Sequence, residues 1–189
     1  METNYNQSRK DFLKKSATGL VAISAGMLLE SFIPKERPLF EIPKIEVVSA
    51  KQFRDGVMPR AQLSMLASKI AVEKTSQNNA KEFAGWELME AIAVIDFLKD
   101  LGTSVPPADK GAQDFIAKLK SLEGKAFDIE YMKAEQANHE WLRDLAQNYL
   151  DASDAKSTGG ETYHLARVAI FAFTEHVGLT KKINSELNG

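Results

Sequence analysis

The chain has 189 residues, a formal net charge of −2 and no cysteine. Because acidic and basic residues are interleaved and nearly balanced, we expect no nucleic-acid partner. The lack of cysteine excludes disulfides, thiolate metal ligands and a cysteine nucleophile, so a metal would have to bind imidazole and carboxylate groups. The length that remains after the N-terminal segment is enough for one domain with its own core.

Residues 1–30 have the pattern of an export signal or an N-terminal anchor. Arg9 and Lys10 lie in a basic stretch, and residues 17–29 are moderately apolar. The start resembles the twin-arginine export signal, with Lys10 at the place of the second arginine. The apolar stretch is shorter than the ~20 residues of a membrane-spanning helix, so we expect no transmembrane domain beyond an uncleaved signal anchor. An ordinary amphipathic N-terminal helix is the alternative.

Residues 31–60 are predicted to be a linker, because prolines recur in them. Pro34, Pro38, Pro43 and Pro59 are spaced so that a continuous helix is not expected. The folded domain is then expected to cover residues 61–189.

Within 61–189 the apolar residues recur every three or four positions, which predicts an all-α domain. The predicted helices cover residues 61–75, 80–101, 126–152 and 161–185. A long crossover between the second and third helices holds a short amphipathic piece at residues 112–122, with Gly102 ending the second helix. Two hairpins joined by one crossover predict a ferritin-like four-helix bundle. The second helix has only a narrow polar strip, so we expect it to be well covered.

Ionisable residues fall on the helix faces where a bundle usually carries leucine. They are Glu87, Asp128, Glu135, His139 and His176. Burying such groups without partners would cost several kcal/mol each, so they must satisfy one another, bind water or hold a metal.

If the second and third helices run parallel, Glu87, Glu135, His139 and His176 share one layer of the bundle. Two carboxylates and two imidazoles suit a mononuclear site for iron, manganese or zinc. The alternative is a buried hydrogen-bonded cluster, including Asp128 and Tyr131, that fixes the helix register. Both interpretations stay open.

The ligand set of a di-metal carboxylate bundle is not reproduced. Such bundles use a Glu-x-x-His pair on each of two helices. The one helical pair of this kind here, Glu161 and His164, lies in the first turn of the fourth helix, where we expect exposed side chains.

Several short motifs resemble a bacterial envelope family classed as a ferritin-like domain of unknown function and often labelled an outer membrane protein. They are residues 69–74, residues 81–84, Gly124, Phe127-Asp128 with Tyr131, His139-Glu140, and His176. The resemblance implies the fold and an envelope location but no reaction. Where that family usually has a Glu in the first helix and an Asp-His pair in the second, this chain has Ser64, Glu90 and Ala91.

The resulting functional hypothesis is an exported, periplasmic helical bundle of unassigned activity, acting in envelope stress or as an interaction module. A metal-dependent redox or peroxide-detoxifying protein is the alternative. A partner-binding surface at Trp86 and Trp141 is a third interpretation, although aromatic residues at such spacings are more often core. No serine nucleophile with a matching base and no glycine-rich phosphate loop is visible. A homo-oligomer stays open.

Overall fold

The computed structural model describes residues 49–152 and 154–189, and the regular elements in these ranges are all helices. Four long helices form the predicted all-α bundle, with a short helix in the crossover. The helices are α1 Ala50–Lys74, α2 Asn78–Asp100, α3 Lys110–Ser121, α4 Gly124–Leu150, α5 Ala155–Thr158 and α6 Gly160–Asn188. The predictions for the export signal and for residues 31–48 lie outside the described residues.

Helix α1 begins at Ala50, eleven residues before the predicted start at residue 61, so the end of the predicted linker is helical. Ser49 caps this helix by accepting a hydrogen bond from the backbone N–H of Gln52 at 3.2 Å. Pro59 lies inside the helix but faces solvent, where the carbonyl that it leaves without a partner can be hydrated. Phe53 and Met58, on the opposite side, are fully buried. The free energy gained by burying these two side chains outweighs the free energy lost with the backbone hydrogen bond at Pro59.

Contacts between helix ends establish the directions of the helices. The carboxylate of Asp128, at the start of α4, accepts hydrogen bonds from the backbone N–H groups of Ser76 and Gln77, just before α2. At the other end of the bundle, Arg54 donates to Thr103 after α2 and to Thr162 at the start of α6. Helices α2 and α4 therefore run parallel, which meets the condition set for a shared layer, and α6 runs antiparallel to both.

The crossover returns along the bundle and carries α3 on its way. Gly102 lies just after α2 with a positive φ of 75°, which a glycine adopts without strain. Phe115 and Leu119, on the inner side of α3, are buried. On the same helix, Lys118 forms an ion pair with Glu130 of α4 at 2.6 Å. The crossover helix thus packs on the bundle through its predicted apolar side.

The core consists of two apolar clusters, one towards each end of the bundle. One contains Phe53, Trp141 and Phe173, and the other contains Phe83 and Phe127. His139 lies where these clusters meet, because its ring is near Phe83 of one cluster and Phe173 of the other.

Helix α2 is less covered than predicted. Trp86, Met89 and Phe97 are 51%, 64% and 39% exposed. The helix packs mainly on α1, so its far side faces solvent. No helix among the described residues combines the length and the apolar character needed to cross a bilayer.

Candidate functional site

The structure brings the four predicted metal-site residues together in the interior. Glu87, Glu135, His139 and His176 are 4%, 2%, 1% and 9% exposed. Glu87 comes from α2, Glu135 and His139 come from successive turns of α4, and His176 comes from α6. Charge-bearing groups from three helices therefore meet in one layer of the bundle. Their assignment as metal ligands stays a prediction and is taken up below.

Three of these residues form a compact triangle of possible ligand atoms. Glu87 Oε2 lies 3.2 Å from His139 Nε2 and 3.3 Å from His176 Nδ1, and the two nitrogens are 3.1 Å apart. The three sides are thus nearly equal. Among the described residues, this is the one group of three or more histidines and acidic residues that is close enough to hold a metal ion. Its potential ligand atoms all lie within 4.8 Å of one another.

The outer nitrogen of each imidazole faces an acceptor. His139 Nδ1 lies 2.8 Å from the backbone carbonyl oxygen of Glu135, and a carbonyl can only accept, so Nδ1 carries a hydrogen. His176 Nε2 lies 3.5 Å from the Glu90 carboxylate, which favours a hydrogen there too. In the neutral rings the lone pairs are then on His139 Nε2 and His176 Nδ1, the two nitrogens that face Glu87.

When both imidazoles are neutral and carry their hydrogens on the outer nitrogens, the inner oxygen of Glu87 has no hydrogen-bond donor. Glu87 Oε2 is buried and receives no hydrogen bond from the described residues, although both imidazoles lie close to it. An unpaired buried carboxylate oxygen is costly, and in a native protein it usually marks a missing cation, water or proton. Three electron-pair donors facing one another therefore form a site for a positive charge.

In the absence of a metal, the charges of the cluster depend on one another. Burial alone would lower the pKa of His139, but the Glu87 carboxylate opposes this and raises it to about 9. Burial alone would raise the pKa of Glu87, but the charge on His139 lowers it well below its usual range. A proton on His139 is thus held against the Glu87 carboxylate.

Glu135 lies on the other side of the His139 ring, away from the triangle. Its Oε2 is 3.7 Å from His139 Nδ1 and accepts a hydrogen bond from Ser64 Oγ at 2.8 Å. Ser64 in turn accepts from Asn138 at 2.9 Å. Burial, with a contribution from the Glu87 carboxylate, raises the pKa of Glu135 to about 8. Glu135 therefore lies beside the His139 ring on the side away from the triangle, and Ser64 binds its carboxyl group there.

Asp128 and Tyr131 are buried, but they belong to another part of the structure. Asp128 binds the turn before α2, and Tyr131 shares a hydrogen bond with Ser68 of α1 at 2.9 Å. The predicted hydrogen-bonded cluster thus consists of separate polar contacts. The motif that contains these residues ties α4 to α1 and to the turn between α1 and α2.

Sequence reasoning did not identify the full set of buried polar partners. Ser68, Asn138 and Thr180 lie in the interior but were not expected there, because small polar residues and asparagine also occur on solvent-facing helix sides. Glu90 of α2 lies at the edge of the site. Its side chain is 33% exposed and contacts His176.

A small cavity adjoins the cluster. It has a volume of about 10 Å³ and is lined by Ser64, Glu87, Glu90 and His139 together with apolar side chains. That volume is about one water-sized probe, and the polar groups on its wall could bind a water molecule. A cation at the triangle would therefore have room for one further small ligand.

The chain belongs to the family described as "Domain of unknown function (DUF4142)", whose model matches residues 44–158, more than half of the chain. The match contains Glu87, Glu135 and His139. His176 lies on α6, beyond its end. A comparison with curated proteins gives no match.

Among solved structures, the fold is similar to the crystal structure of a DUF305 protein from Streptomyces coelicolor that is named as a secreted protein. The TM-score is 0.59, and the match covers 75% of this chain and 95% of that chain. The two sequences are 16% identical, so the similarity shows the fold alone.

Proposed function

We propose that this protein is an exported helical bundle that binds one divalent transition-metal ion between Glu87, His139 and His176. Iron, manganese and zinc are the candidate ions, because two imidazoles and one carboxylate suit each of them. Glu135 and Glu90 would act as outer partners that orient the two imidazoles, as carboxylates and carbonyls do around many metal sites.

One observation carries this proposal, the triangle of Glu87 Oε2, His139 Nε2 and His176 Nδ1 with sides of 3.1 to 3.3 Å. A zinc ion binds nitrogen and oxygen ligands at 2.0–2.1 Å, which in a tetrahedron places ligand atoms about 3.3 Å apart. A single ion can therefore contact all three atoms. It would also neutralise the buried oxygen of Glu87 that accepts no hydrogen bond.

The metal would decide the chemistry. Two histidines and one carboxylate with an open position are the ligands of many iron(II) oxygenases as well as of zinc hydrolases. The small cavity beside the cluster leaves room for a ligand of the size of water or peroxide. Bound iron or manganese would support the redox or peroxide-detoxifying alternative, whereas zinc would not.

The test is the metal content of the full chain purified without chelator. We expect about one equivalent of metal per chain in the wild type and in a His164→Ala variant, since His164 is the remaining histidine and is exposed. The His139→Ala, His176→Ala double variant should bind none. Titration of the apo protein with Zn²⁺, Fe²⁺ and Mn²⁺ would then identify the preferred ion.

Two results would contradict the proposal. One is a wild-type protein that neither carries metal nor binds any of the three added ions. The other is a double variant that keeps its metal. A metal-free protein whose double variant only loses stability would instead favour a buried hydrogen-bonded cluster that fixes helix register.

Export is the second part of the proposal, and two observations support it. The N-terminal residues have the pattern of a twin-arginine-like signal, and the DUF305 protein with the similar fold is named as secreted. A periplasmic or envelope location, with a role in envelope stress or as an interaction module, follows from the resemblance to the bacterial envelope family.

A further inference from the structure

A second cavity, of about 200 Å³, lies between α1, α2 and α6. Among the described residues, nine line this cavity, of which eight are apolar and the ninth is Glu90. Phe53 and Phe173 supply aromatic walls, and Val168, which is 68% exposed, lies where the cavity meets solvent. The cavity is therefore an apolar compartment with one acidic group.

The size of the cavity suits a small organic molecule. An engineered apolar cavity of ~150 Å³ stays dry and binds benzene, so this one has room for a single substituted or fused aromatic ring. Because the cavity meets solvent at Val168, a small molecule can enter it. A ligand that covers its apolar walls removes them from water, which favours binding.

Glu90 adds a requirement for one polar group on the ligand. Its carboxylate can accept hydrogen bonds and cannot donate them when ionised. Since the other described residues of the wall are apolar, a second polar group that lies within the cavity, away from its mouth, would be buried without a partner. The position of Glu90 thus favours a molecule with a single N–H or O–H donor.

We propose that this cavity binds a small aromatic molecule bearing one N–H or O–H donor, with its ring against Phe53 and Phe173 and its donor on Glu90. The group of Glu87, His139 and His176 is called the histidine cluster. The cavity shares Val57, Glu90, Val94 and Phe173 with the small cavity beside this cluster. The bound molecule would therefore lie next to that cluster. Binding needs no metal, so this proposal is independent of the proposed metal site.

The test uses the full chain with indole and phenol as probes, and toluene as a probe of similar size without a donor. Calorimetry or ligand-observed NMR would measure the affinities for protein with added metal and for protein treated with chelator. We expect saturable binding of indole and phenol in both forms, and binding of phenol at least tenfold tighter than that of toluene. A Glu90→Leu variant should abolish the preference for phenol.

Cavity-filling variants provide the second test. Ala172→Leu and Ala169→Leu each add volume to the wall and should weaken indole binding at least tenfold. Ala93→Leu makes the same change on the exposed side of α2, outside the cavity, and should leave binding unchanged. Thermal unfolding would confirm that each variant is folded, and two filling positions are used because one of them could overpack the core.

Any one of four outcomes would overturn the proposal, and the first three concern the probes and the variants. They are no saturable binding of either donor probe, indole binding that is unaffected in a folded filling variant, and equal affinities for phenol and toluene in the wild type. Loss of binding in the chelator-treated form alone would also overturn it, because the cavity would then depend on the metal.

Discussion

Glu135 illustrates how the interior changes the chemistry of a single residue. Its carboxyl group is buried next to Ser64 and close to the carboxylate of Glu87, and its pKa is raised from its ordinary value of 4.5 to about 8. The folded chain therefore binds a proton at this group more tightly than the unfolded chain does. Stability from this group is fully present below pH 4.5 and is lost as the pH rises towards 8.

A Glu135→Gln variant tests this pH dependence. In chelator, the wild type and the variant should have similar free energies of unfolding at pH 5, since glutamine can accept the hydrogen bond from Ser64 as the neutral acid does. At pH 8.5 the variant should be more stable by roughly 1–3 kcal/mol, because it has no charge to bury. Urea unfolding followed by circular dichroism at several pH values would measure the difference.

The control is Glu82→Gln, which removes an exposed carboxylate of α2. It should follow the wild-type pH profile. If the free energy of unfolding changes with pH equally in the wild type and in Glu135→Gln between pH 5 and 8.5, then Glu135 is ionised in the folded protein over the whole range.

At the scale of the elements, the ends of helices decide how the bundle is assembled. Asp128 of α4 is 1% exposed. Its carboxylate accepts hydrogen bonds from Ser76 and Gln77, which lie in the turn that leads into α2. Lys74, at the end of α1, forms an ion pair with Glu123 just before α4 at 2.7 Å. The start of α4 is thus attached to the turn between α1 and α2.

Replacing Asp128 should therefore loosen this attachment. We expect Asp128→Ala to lower the free energy of unfolding by roughly 2–4 kcal/mol, because two backbone N–H groups and one hydroxyl lose their acceptor. Asp128→Asn should cost less, since its amide oxygen still accepts. Thermal and urea unfolding would measure both, with Asp96→Ala on the exposed side of α2 as the control.

Metal content gives a second measurement on the same variants. If Asp128 is separate from the histidine cluster, as its contacts indicate, Asp128→Asn should keep the metal content of the wild type. Loss of metal from a folded Asp128→Asn variant would contradict that separation.

At the scale of the whole molecule, the bundle places a polar layer between two apolar clusters and a larger cavity at its side. The layer contains the histidine cluster, and the cavity reaches it through Glu90 and Phe173. Such an arrangement would let one small molecule approach a bound ion while the rest of the bundle excludes water. The cellular location decides which ions and molecules are available.

Replacing Arg9 and Lys10 by glutamine tests the export proposal. The variant precursor should accumulate in the cytoplasm, because export signals need a basic segment before the apolar stretch. Cell fractionation of the wild type and the variant would measure this, and a Lys51→Gln variant, in the exposed start of α1, serves as the control. Unchanged fractionation of the Arg9 and Lys10 variant would refute the signal.

The sequence by itself determined the helical class, the two hairpins, the crossover and the inward positions of Glu87, Glu135, His139 and His176. These features follow from a local repeat of three to four residues, because side chains with that spacing share one face of a helix. The same local reasoning placed the start of α1 too late, since it could not show that Pro59 faces solvent.

Only the tertiary structure decided which atoms meet. The rotation and spacing of packed helices bring Glu87 Oε2 to two imidazole nitrogens, direct Glu135 to Ser64 instead, and leave the cavity beside Glu90. A shift of about 1 Å or a small rotation would change each of these contacts. Such distances depend on the packing of all four long helices at once, which no single segment of sequence specifies.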